Sequence, residues 1–85
     1  MKEFSYTIKD ELGIHARPAG LFVKKASLFK SNINITKDSK SADAKKIFAI
    51  MSLGAKQGDT ITIQITGEDE EEAVTVVKEF LEGNL

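Results

Sequence analysis

The sequence predicts an α+β fold, an open-faced β-sandwich in which one four-stranded antiparallel sheet carries three helices on one face. Three observations lead there. Several segments alternate large apolar with small polar side chains, the pattern of strands with one buried face. Others repeat apolar positions at helical spacing. The two kinds interleave along 85 residues in the order strand, helix, strand, strand, helix, strand, helix. A chain of that length without internal repeats is expected to form one domain, residues 1–85, burying roughly 60 to 65% of its unfolded surface.

Residues 4–8, FSYTI, put Phe4, Tyr6 and Ile8 on one side of a strand and Ser5 and Thr7 on the other. From Ala16 to about Ser27, Ala19, Phe22, Val23 and Ala26 share a helical face while Lys24 and Lys25 turn outward. Residues 32–36, NINIT, alternate again. KDSK at 37–40 is turn chemistry that folds a short edge strand, about Ser41–Asp43, back beside them. Residues 46–53, KIFAIMSL, are too apolar for a loop and lack strict alternation. Ile47, Ile50 and Met51 fall on one helical face, which predicts a short second helix; Phe48 is then either an exposed contact or a core residue. After a turn at 54–59, TITIQIT at 60–66 sets Ile61, Ile63 and Ile65 against Thr60, Thr62, Gln64 and Thr66. The last segment, GEDEEEAVTVVKEFLEGNL, opens with acids suited to a helix N-terminus, holds Asp69 and Glu72 at capping-box spacing, and ends near Gly83. Because every clear strand has one apolar face, one side of the sheet takes the helices and the other faces water.

Composition excludes several chemistries. With no cysteine there is no disulfide framework, thiolate nucleophile or cysteine metal site. Residues 1–10 show neither the basic start nor the apolar core of a secretory signal, and no apolar run reaches membrane-spanning length, so a soluble cytoplasmic protein without membrane insertion is expected. The net charge of -1 hides an asymmetry: residues 1–46 carry ten Lys or Arg against five Asp or Glu, and residues 47–85 carry two against eight. Such a split can steer an acidic partner protein to one face, or simply mark two solvated surfaces of opposite sign.

The stretch GIHARPAG, residues 13–20, holds the only histidine, the only arginine and the only proline of the chain. Pro18 lacks an amide hydrogen, which is harmless only in the first turn of a helix, so a helix should begin close to His15. The free amides of Ala16 and Arg17, with the positive end of the helix dipole, then face the space beside the imidazole and form an anion site. A phosphoryl group on a ring nitrogen of His15 would find those amides and the planar guanidinium of Arg17 around its oxygens. A neutral imidazole is also a competent nucleophile near neutral pH. Gly13 allows a tight turn before the helix, and Ala16, Ala19 and Gly20 keep bulk away. The competing reading makes His15 an ordinary polar residue at a helix start.

Other chemistries lack residues. One histidine gives no recognised metal spacing, and the acids of the last segment form a run rather than a ligand pattern, so no metal and no cofactor are expected. There is no P-loop and no nucleophile elbow. Nucleic acid is not an expected partner, since TITIQIT has no aromatic on which a base could stack.

With this site and element order, the sequence resembles the HPr family, the histidine-containing phosphocarriers of the bacterial phosphoenolpyruvate-dependent sugar phosphotransferase system. GIHARPA at 13–19 matches the family's active-site motif, and IFAIMSLG at 47–54 and the GEDEEEA opening of the last helix match as well. The resemblance implies that His15 accepts a phosphoryl group from enzyme I and passes it to a histidine of a sugar-specific enzyme IIA, with Arg17 steadying the group. It also implies that both partners dock around the second helix and the start of the first, which nominates Gly20, Lys24, Ile47, Phe48 and Met51. A monomer is expected. Two alternatives stand beside this: an HPr-like regulatory module that binds a transcription factor or enzyme, and a small hydrolase using His15 as general base, which turnover of simple phosphoesters would reveal.

The sequence departs from the family at position 46, where many members carry a serine that a kinase phosphorylates; here Lys46 follows Lys45. Lysine has no hydroxyl and places positive charge where phosphoserine would bring about -1.5 to -2. Incubation with ATP and a serine kinase of that type should therefore leave the second helix unmodified by mass spectrometry, and phosphoserine found there would overturn this reading.

Overall fold

A computed structural model describes all 85 residues, Met1–Leu85. Alternation along the sequence becomes burial: Ile61, Ile63 and Ile65 are fully buried while Thr60 and Thr66 are exposed. The elements are β1 (Lys2–Thr7), α1 (Ala16–Ala26), β2 (Asn32–Lys37), β3 (Lys40–Asp43), α2 (Ile47–Ser52), β4 (Thr60–Thr66) and α3 (Glu70–Asn84). The strands form one antiparallel sheet in the order β1-β4-β2-β3. The isoleucine-rich β4 is thus an interior strand, paired on both edges. Its register sets apolar side chains opposite one another, Phe4 against Ile63 and Tyr6 against Ile61 on one side, Ile33 against Ile65 and Ile35 against Ile63 on the other. Such cross-strand pairs are what fix a register, because a slip of one residue would turn each isoleucine to water. The predicted edge strand is present and returns through Asp38 and Ser39, with Asp38 at φ 55, a conformation aspartate tolerates better than most side chains.

The helices close the apolar face. Pro18, Ala19, Phe22 and Ala26 are buried from α1, Ile50 from α2, and Ala73, Val77, Phe80 and Leu81 from α3. All of these but Pro18 join the strands in a single cluster of 21 buried apolar residues. The rings of Phe22 and Phe80 meet at 5.3 Å with a 53° tilt, a geometry worth about 0.5–1.5 kcal/mol beyond the area it buries.

The last helix ends beside Gly83, at Asn84, while three local expectations are corrected. β1 runs from Lys2 to Thr7 rather than over 4–8; Ile8 has left the ladder, and its amide donates to the Asp59 carbonyl at 2.9 Å. Met51 does not share the inward face with Ile50 but is 37% exposed, since a helix of six residues has room for little more than one buried position. The Asp69–Glu72 capping box does not form: Asp69 occupies the N-cap position, but its side chain makes no cap hydrogen bond. A reciprocal pair forms two residues earlier, where the Gly67 amide donates to Glu70 Oε1 at 3.2 Å and the Glu70 amide donates to the Gly67 carbonyl at 3.3 Å.

The Asp69 carboxylate has a tertiary role instead. Its Oδ2 accepts the Lys30 amide at 2.9 Å, and its Oδ1 accepts both the amide and the hydroxyl of Ser31. Ser31 is almost fully buried, and Gly67 lies so close that a Cβ there would meet the Ser31 Cα at 2.6 Å. This contact fastens the segment after α1 to the start of α3.

The hydrogen bonds from the Ser31 hydroxyl and from the Lys30 and Ser31 amides hold the Asp69 carboxyl below its ordinary value of 3.8. A carboxyl depressed in the folded state stabilises it fully above the unfolded pKa, and that contribution is lost as pH falls through the folded one. Asp69→Asn should therefore melt at a lower temperature than the parent at pH 7, and the gap should narrow progressively below about pH 4. Thermal unfolding of both proteins across pH 7 to 2.5 checks this; a gap independent of pH would show that the charge is irrelevant.

Candidate functional site

Two anchors hold the loop that leads into α1. Gly13 adopts φ 65, and a Cβ on it would lie 2.4 Å from the Ala55 carbonyl oxygen and 2.7 Å from the Lys56 Cα. Only glycine satisfies both the backbone angle and the approach. The next amide, of Ile14, donates to that Ala55 carbonyl at 3.0 Å, so the loop is pinned to the segment between α2 and β4. On the other side the Lys9 and Asp10 amides donate to the Leu85 carbonyl, the Gly13 amide donates to the Asp10 carbonyl at 3.0 Å, and the Leu12 amide donates to Asp10 Oδ1 at 2.8 Å. The loop before His15 is thereby fastened to both ends of the helical layer.

His15 is the N-cap of α1, with φ -117 and ψ -175. Its carbonyl accepts the Ala19 amide at 3.0 Å, the first bond of the helix. Its ring makes no cap hydrogen bond and is half-buried. Ala16 and Arg17 follow as the first two helical residues, both exposed, over buried Pro18 and Ala19. Their amides have no residue four positions back within the helix to bond, and Pro18 adds no donor. No acid occupies the first turn of α1, so the positive end of its dipole is not offset by the helix itself. An imidazole with no capping duty beside two free amides and a guanidinium can carry an anionic group whose oxygens those donors receive.

His15 and Arg17 border a hollow of about 40 Å³ completed by Asp10, Pro18, Leu21 and Asn84. That is room for a few waters, so the site suits a small group brought by another molecule rather than a substrate held in a pocket. Sequence reasoning missed Asp10 and Asn84. Asn84, whose Nδ2 donates to the Phe80 carbonyl at 3.0 Å, arrives from the far end of the chain through α3. Asp10 had one usable signal, its place at the head of the turn that ends in Gly13.

The nominated docking residues fall on and beside the junction of α1 and α2. A Cβ on Gly20 would lie 3.6 Å from Ile47 Cδ1, so Gly20 and Ile47 face each other, and Lys24 is exposed one turn further along α1. Phe48 is 81% exposed, which decides its alternative in favour of a surface side chain. Lys46 is the exposed N-cap of α2, and the Ser52 hydroxyl donates to the Ala49 carbonyl at 2.8 Å. The ion pairs of the molecule join the N-terminal amine to Glu70, Lys2 to Glu71 and Lys37 to Asp59. Arg17, Lys24 and Lys46 take part in none, and their charges are available to a partner. No helix is long and apolar enough to cross a membrane.

Comparison with known proteins agrees with this fold. The profile of the PTS-HPr family, described as "PTS HPr component phosphorylation site", matches residues 2–83. The chain is similar to the phosphocarrier protein HPr of Mycoplasma genitalium, 46% identical over 85 residues that cover 99% of this chain and 97% of that protein. Among solved structures it is similar to HPr-C-His from Thermoanaerobacter tengcongensis, with 47% identity, a TM-score of 0.92, and 98% of this chain and 93% of that one covered. A structure of an HPr dimer from the same organism superposes with a TM-score of 0.77 at 47% identity, covering 98% and 95% of the two chains.

The anchor at Gly13 generates a test. Gly13→Ala should cost more than about 1 kcal/mol in urea unfolding, since the new methyl meets backbone rather than a movable side chain and the angle is unfavourable for it. The His15 ring resonances should shift with it. An alanine variant of parental stability with unmoved His15 signals would show that the Ala55 contact does not position the ring.

Proposed function

This chain belongs to the HPr family of phosphocarrier proteins of the phosphotransferase system, and from that premise we propose that its His15 is the residue that carries the phosphoryl group. One observation supports the reading above the rest: His15 caps α1 through its backbone alone, leaving its ring without a capping bond in a hollow that it shares with Arg17. The donor is the phosphohistidine of enzyme I. A ring nitrogen of His15 attacks phosphorus; the new P–N bond forms as the donor's P–N bond breaks, and the electron pair stays with the donor imidazole. The reverse geometry then delivers the group to a histidine of a sugar-specific enzyme IIA. No net proton need be lost in either exchange.

In this reading the Ala16 and Arg17 amides and the Arg17 guanidinium receive the phosphoryl oxygens. The exposed position keeps their hold moderate, so the phosphoramidate remains transferable. Gly20, Lys24, Ile47, Phe48 and Met51 form the surface on which both partners dock. In this reading the protein works in the cytoplasm, as one domain and as a monomer. It is a relay rather than an enzyme in its own right, because a partner's active site supplies the remaining catalytic groups.

Incubation with enzyme I and phosphoenolpyruvate should give an acid-labile, alkali-stable adduct on the parent protein. His15→Ala should give none while keeping its circular dichroism and melting temperature. Undiminished phosphorylation of that variant would rule the assignment out.

A further inference from the structure

Helix α1 presents a second exposed side. Its Gly20 face meets α2; on the α3 side, Leu21, Lys24, Lys25 and Leu28 combine with Phe80 and Asn84 to line a groove of about 390 Å³. Phe80 is only 6% accessible and forms its floor, whereas Leu28 is 71% exposed at its rim. A large aliphatic side chain left in water beside an apolar trough is a surface awaiting cover. Neither Lys24 nor Lys25 belongs to an ion pair, and no acidic residue lines the groove.

We propose that this groove docks an acidic segment of a partner protein, which lays one large apolar side chain over Phe80 between Leu21 and Leu28 and sets carboxylates against Lys24 and Lys25. The charge complementarity selects that occupant. Two lysines are too few to hold a nucleic-acid backbone or an anionic membrane, which call for several cations in a row, and the only ring present lies on the floor where no base can stack on it. An apolar anchor ringed by opposite charges is the usual build of a small protein interface. This surface lies on the α3 side of α1 and adjoins the α1–α2 surface assigned to the relay, with which it shares Lys24. Leu21 and Asn84 line both the groove and the hollow at His15, so Lys25 and Leu28, which touch only the groove, are the residues to change.

The test is a titration of the ¹⁵N-labelled full chain with a capped hexapeptide probe, EDLFEE, against the control KKLFKK. Shift changes should gather on Leu21, Lys25, Leu28 and Phe80 and approach saturation at about millimolar probe. They should weaken about tenfold in Lys25→Glu, fall at least as far in Leu28→Glu, and be absent with the lysine control. Changes confined to Phe48 and Met51, equal responses to both peptides, no response to the acidic probe, or tighter binding of a single-stranded oligonucleotide or of phosphatidylglycerol vesicles would each overturn the proposal. Melting temperatures of the two variants confirm that they fold; both positions are exposed, and Lys25→Glu serves alone if Leu28→Glu does not. Phosphorylation by enzyme I should be unchanged in both variants. Its loss there would overturn the separateness of the groove, while the carrier role of His15 is judged independently by His15→Ala.

Discussion

The approach of Gly13 to the Ala55 carbonyl is the constraint on which the rest of the site depends. It brings two backbones to a distance that no side chain permits, and it determines where the chain stands when it enters α1. His15 is two residues further on. The entry into the helix is held by that contact, and Ile14 is bonded to the same carbonyl. A site built on a loop usually trades precision for exposure. Here the loop is held at Ala55 on one side and at Leu85 on the other, so an exposed histidine can still be well placed.

The electrostatics are local. The positive end of α1 is unopposed within its first turn, and Arg17, Lys24 and Lys46 lie outside every ion pair. The acids that dominate the second half of the sequence are gathered at the start of α3, where Glu70, Glu71 and Glu72 suit a helix N-terminus and engage the N-terminal amine and Lys2. Every ion pair joins the basic half of the chain to the acidic half, and none of them involves α1. Asp10 is the one acid lining the hollow at His15.

Helix α1 has three jobs on eleven residues. Its apolar stripe of Ala19, Phe22 and Ala26 enters the core, its Gly20 side lets α2 come close, and its Leu21 side, continued by Leu28 in the turn beyond, stands open against α3. Small residues make this possible: alanine and glycine at three of these positions let the sheet and α2 approach without displacing the amides at the helix start. Stability then rests on Phe22 and Phe80 meeting behind the site, and on Asp69 fastening the segment after α1 to the head of α3.

The sequence by itself determined the element order, the buried face of each strand and the chemistry of the candidate site. Period-two alternation in TITIQIT and the rare first-turn proline are local signals, each carried by neighbours in the chain. It misjudged features that compete for a partner far away: Asp69 looked like a helix cap because its spacing to Glu72 is local, yet Lys30 and Ser31 together offer it three donors across the fold. The strand order, the Gly13–Ala55 contact, the entry of Asn84 beside His15, and the outward turn of Phe48 and Met51 were decided only by tertiary structure. The physical reason is the same in each case. Periodicity reports which side of an element avoids water, but which element comes to meet that side depends on packing among segments that the sequence places far apart.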